Sequence, residues 1–139
     1  MADNVLKRLL FRKQQRLKTN QQFRNVLDKR NCLRDKYMAL FVAENDCGFP
    51  RLGISVPRAV GNAVVRNRLK RYARESFRTQ QHQIQQNFDY LVMINKKPGR
   101  NSNNKNLCAA KKISPADIRE SFIKLAKQAA EKQLRNSAP

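Results

Sequence analysis

Residues 90–94, Tyr-Leu-Val-Met-Ile, form an unbroken apolar run, and this run constrains the fold of the 139-residue chain more than any other feature. A strand that is apolar on both sides has to be covered on both faces of its sheet. Residues 37–42, rich in aromatic and branched side chains, and residues 52–56, with alternating apolar positions, predict two further strands. Turn-forming residues at 45–50 predict that these two strands pair as a hairpin.

Three helices are predicted around these strands. The first spans residues 19–29, where Thr19 and Gln22 have the spacing of a capping box. The second spans residues 63–80 after Asn62 as its N-cap, and the third opens with Ser114 as N-cap and Pro115 in its first turn. The predicted fold is therefore an α+β two-layer sandwich with a small mixed sheet packed against helices. Its element order is αββαβα, with room for an additional short strand.

The chain is long enough for one compact domain with loose ends. We predict a basic N-terminal arm over residues 1–15, a single RNA-binding domain over 16–134, and a frayed tail over 135–139. Residues 99–113, rich in Asn and Lys, are predicted to form a long polar loop inside the domain.

The net charge of the chain indicates which class of partner it binds. The 30 Lys and Arg residues exceed the 10 Asp and Glu residues, which leaves a formal net charge of +20. Such self-repulsion is typical of proteins that bind a polyanion, and nucleic acid is favoured over a membrane surface. A membrane-binding protein would show a basic helix with a large exposed apolar face, and no apolar run is long enough to cross a bilayer. Three cysteines without a short Cys-Cys spacing predict a reducing, cytoplasmic location.

The predicted helix over 63–80 divides into two faces. One arc is suited to pack on the sheet, with Phe77 at its border, and contains Val65, Leu69, Tyr72, Ala73 and Ser76. The remainder is basic and comprises Arg66, Asn67, Arg68, Lys70, Arg71, Arg74 and Arg78. Arg66, Lys70 and Arg74 repeat at steps of about 6 Å along the axis, so they can follow a nucleic-acid backbone.

Two details of this face bear on its role. Asn67 offers both a donor and an acceptor, which suits an ordered water or a hydrated metal ion beside RNA. A purely solvated face is the alternative, but only Glu75 offsets the positive charges between Arg66 and Arg78. Like charges at i, i+4 destabilise a helix, so such a one-signed face favours a ligand.

At this helix the sequence resembles the protein component of bacterial ribonuclease P. The resemblance rests on the Arg-Asn-Arg triplet at 66–68 within the stretch 61–78. It is supported by residues 51–56, by 16–18 together with Phe23, and by 89–97, which are similar to the family's flanking elements. It covers about residues 16–98, and the helix after Ser114 stands where the family has its final helix.

The resemblance implies a left-handed βαβ crossover and a ribonucleoprotein in which a catalytic RNA removes the 5′ leader of precursor tRNA. It implies that the RNA carries the chemistry with Mg²⁺, that the protein has no catalytic residues or bound metal of its own, and that one protein joins one RNA. It also implies that Arg66, Asn67, Arg68, Lys70, Arg71, Arg74 and, by extension, Arg78 contact RNA.

The resemblance further implies a cleft for the single-stranded leader between the first helix and the sheet, lined by Phe23, Leu27, Tyr37 and Phe41. Leu27 stands where many family members have a second aromatic, so stacking at this position is lost. Core packing is the alternative role for Phe23 and Tyr37, since aromatic residues at helical or strand spacing are usually buried.

A ribosomal protein or a general RNA chaperone is the alternative function, because both are small and basic. A DNA-binding helix-turn-helix protein is disfavoured, since the basic helix follows a strand. A self-sufficient nuclease is disfavoured as well. The single histidine, His82, has no acidic neighbour, and the carboxylates do not pair as a two-metal site requires.

Overall fold

The computed structural model describes residues 13–95 and 113–137, with side chains as far as 132. The predicted polar loop therefore lies almost entirely outside the described residues, as does most of the N-terminal arm. The structure contains the helices α1 (Asn20–Asp28), α2 (Ala63–Gln80) and α3 (Pro115–Ser137), and the strands β1 (Cys32–Arg34), β2 (Met38–Glu44), β3 (Arg51–Ser55) and β4 (Phe88–Ile94). The α+β class is confirmed, β1 is the additional short strand, and α3 extends into the region predicted to fray.

The four strands form one mixed sheet in the order β1-β2-β4-β3. β4 pairs antiparallel with β2 and parallel with β3, and α2 connects the parallel pair as a βαβ unit. The predicted hairpin between β2 and β3 is therefore wrong. β4 is apolar on both faces and lies between these two strands in the interior of the sheet. The connection at 45–50 passes the end of β4, where the backbone amide of Asn45 donates to the Asn87 carbonyl.

One face of the sheet carries the main core. Met38, Leu40 and Val42 of β2 alternate inward with the β4 residues of the same face and meet α2 and α3. The Phe122 ring of α3 lies 6.1 Å from Tyr90 and 6.4 Å from Phe77, in edge-to-face geometry. This cluster fixes α2 on the sheet through its buried side chains Val65, Leu69, Ala73, Ser76 and Phe77. The predicted arc is thus buried, except that Tyr72 is half-buried.

The opposite face carries a smaller cluster under α1. Val26 of α1 and Leu17 are buried against Ala43 and Leu91, and partly buried side chains, among them Phe41, pack around them. β4 is therefore covered on both faces, as its continuous apolar run requires.

Local signals set the helix starts. The Thr19 hydroxyl accepts from the Gln22 amide at 3.1 Å, and the Gln22 side chain accepts in return from the Thr19 amide, which completes a capping box. The Asn62 side chain accepts from the Val65 amide at 3.0 Å, and α2 has the bounds predicted for it. Ser114 and Asp117 exchange a reciprocal pair of bonds at the start of α3. No helix within the described ranges is long and apolar enough to cross a membrane.

Candidate nucleic-acid interface

The basic side chains predicted on α2 all lie outside its buried arc. Arg71, Arg74 and Asn67 are exposed, whereas Arg66, Arg68, Lys70 and Arg78 are half-buried. Their aliphatic stems can therefore pack on the protein while their charged ends reach its surface. The face presents cations along the length of the helix, as the sequence predicted.

Arg78 differs from the other members of this face. Its guanidinium donates to the Glu75 carboxylate at 2.7 Å, and this hydrogen bond raises the pKa of Arg78. Within residues 13–95 and 113–132, no other cation of the α2 face forms an ion pair. Arg78 is thus the member of the predicted set whose charge is already compensated within the helix.

Arg66 has a buried hydrogen-bond donor that the described residues leave unsatisfied. Its Nε is buried, and no acceptor for it exists in the part of the chain that the structure describes. A buried donor without a partner is costly, and an oxygen from a bound polyanion would satisfy it. Arg71 is arranged differently, because its guanidinium carbon lies 5.9 Å from the Tyr72 ring centroid.

The basic face of α2 meets α1 at the β3 edge of the sheet. A cavity of about 170 Å³ opens there, here called the edge cavity, and is lined by Arg16, Leu17, Phe23, Leu52, Gly53, Ile54, Lys70 and Arg74. The Leu17 amide donates to the Leu52 carbonyl at 3.0 Å, so the segment before α1 runs along the exposed edge of β3. Three cations and one aromatic ring therefore border a single opening.

Gly53 determines how deeply the Phe23 ring sits in this opening. A Cβ atom built on Gly53 would lie 2.6 Å from Cε1 of Phe23 and 3.0 Å from Cδ1 of Leu17. Such a distance is shorter than real carbon contacts, so the ring reaches the backbone of β3 only because residue 53 has no side chain.

The structure brings together three of the four residues predicted for the leader cleft. Phe23 and Phe41 are half-buried around the small cluster under α1, and Leu27 is an exposed apolar residue of the same helix. These side chains lie on or beside the face of the sheet that α1 covers in part.

Tyr37 lies elsewhere. It packs against the main core and lines a second cavity with α3 residues, on the opposite side of the sheet from Phe23. Its place follows from the Asp35 side chain, which accepts from the amides of Tyr37 and Met38 and holds a turn before β2 begins. Alternation within the strand therefore does not apply to Tyr37, and its predicted grouping with Phe23 and Phe41 is wrong.

Apart from Glu75 of α2, the acidic side chains that border cavities lie away from this interface. Asp28, Glu44, Asp46 and Asp89 border a cavity of about 530 Å³ beyond α1, and Asp35, Asp117 and Glu120 border the cavity beside α3. In the former, Arg51 donates two bonds of 2.7 Å to Asp89, and this contact raises the pKa of Arg51. That pair joins β3 to β4 and leaves Asp28, Glu44 and Asp46 as the other carboxylates that border this cavity.

Sequence reasoning did not include Arg16 and Gly53 among the site residues. Arg16 enters the edge cavity only because its segment pairs with β3, and Gly53 matters only because a ring from another element lies on it. Neither contact leaves a local pattern. No group of three His, Cys, Asp or Glu side chains within the described ranges could hold a metal ion.

Comparison with known proteins points in one direction. A family model described as Ribonuclease P matches residues 11–130. The chain is 30% identical over 118 residues to the ribonuclease P protein component of Petrotoga mobilis, covering 85% of this chain and 93% of that one. It is 42% identical over 77 residues to the ribonuclease P protein component of Natranaerobius thermophilus, and the match covers 55% of this chain and 67% of that one.

Solved structures agree with these relatives. The ribonuclease P protein of Staphylococcus aureus superposes with a TM-score of 0.67 at 28% identity, covering 83% of this chain and 94% of that one. The ribonuclease P protein of Thermotoga maritima gives the same TM-score and identity, covering 81% and 96%.

Proposed function

The chain belongs to the ribonuclease P protein family, and from this premise we propose that it binds a catalytic RNA and the 5′ leader of precursor tRNA to promote 5′ maturation. In this proposal one protein joins one RNA, and the RNA performs the cleavage. A single observation carries it. Cations of α2 that lack ion pairs within residues 13–95 and 113–132 meet the Phe23 ring at the edge cavity, beside the half-open sheet face.

The arrangement suits a single strand better than a duplex. Phe23 and Phe41 offer faces on which bases stack without regard to sequence. The cations of α2 and Arg16 supply phosphate contacts along one side, and Arg66 lacks an acceptor that a phosphate oxygen could provide. A cleft that holds the leader would raise affinity for precursor over mature tRNA.

Magnesium enters the proposal through the RNA. Side chains of the described residues form no cluster of metal ligands, so no step of the mechanism is assigned to an ion held by the protein. Asn67 is exposed among the cations of α2 and could contact a hydrated ion at the junction with RNA. A cytoplasmic location is part of the proposal, since Cys32 and Cys47 are free thiols that suit a reducing compartment.

Reconstitution tests the proposal. The full chain is combined with a bacterial ribonuclease P RNA at low magnesium and given 5′-labelled precursor tRNA, with protein alone and RNA alone as controls. The expected result is efficient cleavage at the leader junction only in the mixture. A mixture that never exceeds RNA alone across magnesium concentrations would favour the ribosomal or RNA-chaperone function.

A matched pair of variants tests the surface. Arg74 of α2 and Arg119 of α3 are both exposed helical arginines, and only Arg74 borders the edge cavity. We expect Arg74→Ala to weaken precursor binding and to lower the dependence of log Kd on log salt by about 0.7 to 0.9. Arg119→Ala should leave both quantities unchanged. Equal behaviour of the two variants would refute the assignment of this surface.

A further inference from the structure

The sheet face beside α1 continues to the far edge strand as a row of side chains. Arg34 of β1 is directly opposite Ala39 of β2, Ala39 is opposite Met93 of β4, and Met93 is opposite Ser55 of β3. Directly opposed residues project from the same face, so these four form one row across the sheet, here called the open row. The adjacent row contains Phe41 and Leu91, which belong to the cluster under α1.

α1 covers the other end of this face. Residues of its C-terminal half, Val26 and Asp28, line a cavity with Ala43 and Asp89, which lie on the far side of the Phe41 row. Met93 and Ser55 of the open row are half-buried, Arg34 is exposed, and the small side chain of Ala39 between Met93 and Arg34 is buried. The strip of this face beside α1, from Ser55 at the β3 edge to Arg34 at the β1 edge, is here called the groove, and its middle positions are the small and apolar side chains of Ala39 and Met93.

Its two ends carry positive charge. Arg16, Lys70 and Arg74 border the edge cavity at β3, and Arg34 ends the open row at β1. Within residues 13–95 and 113–132, Arg34 takes part in no ion pair. Three inter-strand spacings separate β3 from β1, about 14 Å, which an extended single strand crosses with about two or three nucleotides.

We propose that Arg34 is a second phosphate contact for single-stranded RNA, at the far end of the groove from the basic helix. A strand entering past Lys70 and Arg74 would cross the open row, with bases against Phe23, Phe41 and Met93, and would leave over β1, where Arg34 neutralises a phosphate. The inference rests on the proposed function and adds a direction and a minimum length for the bound leader.

Lys36 provides a matched control two residues away. Its Nζ lies 5.1 Å from the Tyr37 ring centroid, and it borders the cavity shared with Asp117, Glu120 and Lys124 of α3, on the opposite side of the sheet. Lys36→Ala and Arg34→Ala each remove one exposed positive charge from neighbouring positions. Only Arg34→Ala removes it from the groove.

The experiment measures the affinity of the reconstituted holoenzyme for precursor tRNAs whose leaders range from about one to ten nucleotides. For the natural chain we expect affinity to rise with leader length and then level off. Arg34→Ala should match it for short leaders and bind long leaders about two- to fivefold more weakly. With long leaders its salt dependence should fall by about 0.7 in log Kd per log salt, and Arg34→Lys should restore most of both effects.

The outcomes separate the two proposals. If the natural chain confers no dependence on leader length, the proposed function itself fails. If that dependence is present but Arg34→Ala equals the natural chain at every length, the role of Arg34 is refuted alone. An equal loss at all lengths, or an equal loss in Lys36→Ala, would also refute it, because neither result depends on the leader reaching β1.

Discussion

Replacing Gly53 with alanine tests the contact that places the Phe23 ring in the edge cavity. The backbone at Gly53 does not adopt the left-handed conformation, so alanine itself is tolerated there. The added Cβ would approach Cε1 of Phe23 to 2.6 Å and Cδ1 of Leu17 to 3.0 Å, so the ring or α1 must move. Overpacking of this kind costs about 1–3 kcal/mol.

A smaller effect opposes this cost. Alanine restricts the unfolded chain more than glycine, which stabilises the folded state by about 0.4–1 kcal/mol. The expected net loss in the free energy of unfolding is therefore about 0.5–2 kcal/mol. Urea denaturation measures it as a lower midpoint with an unchanged slope.

The double variant decides whether the ring is the cause. Phe23→Ala removes the atom that the new Cβ would meet, so Gly53→Ala should cost about 1 kcal/mol less in that background. A displaced ring should also weaken precursor binding more than binding of mature tRNA. If Gly53→Ala has the same cost in both backgrounds, or no cost, the claim that this glycine positions the ring is refuted.

Three further predictions concern stability. Arg30 has a φ of 54° after α1, and Arg30→Gly should relieve about 1–2 kcal/mol of strain while losing about 0.4–1 kcal/mol to the greater freedom of glycine in the unfolded chain. The urea midpoint should therefore rise slightly, and a fall would contradict the strained geometry. Asp89→Asn leaves Arg51 without its carboxylate partner, and we expect urea denaturation to show a loss of about 2–4 kcal/mol in the free energy of unfolding. A loss below about 1 kcal/mol would show that the ion pair contributes little to stability. Burial raises the pKa of the Tyr90 hydroxyl above its usual 10.0, so the unfolded chain loses this proton first as pH rises. Stability should therefore fall above about pH 10, and Tyr90→Phe should make that fall smaller. The variant should also lose about 1 kcal/mol of stability at neutral pH, because it lacks the hydrogen bond that the Tyr90 hydroxyl donates to the Gln85 carbonyl. If Tyr90→Phe loses stability above about pH 10 as steeply as the natural chain, the role of Tyr90 is refuted.

Much of the local structure could be predicted from sequence because its causes are local. The caps at Thr19, Asn62 and Ser114 lie within three residues of the amides they accept from, and all three form as expected. The two faces of α2 follow from a repeat of 3.6 residues, and the unbroken run in β4 correctly required cover on both faces.

Strand pairing was harder to predict, because the turn residues at 45–50 suit a hairpin as well as they suit a connection between two strands that are not neighbours. The pairing was decided by which strand could fill the interior of the sheet. That strand is β4, which is separated from the end of β3 by the 32 residues 56–87. Tyr37 was misplaced for a related reason, since a turn held by Asp35 separates it from the alternation of β2. Both errors concern contacts that no short window of sequence contains.

The sequence by itself determined the charge, the helix faces, the family and the set of cations that share one face of α2, because these depend on composition and short-range periodicity. Only the tertiary structure decided that Arg16, Phe23, Gly53 and Lys70 share one cavity, and that Arg34 ends a row begun at Ser55. The physical reason is that a groove is a relation between elements distant in the chain. Its members are selected by the order and register of the strands, and those are set by the burial of the whole core.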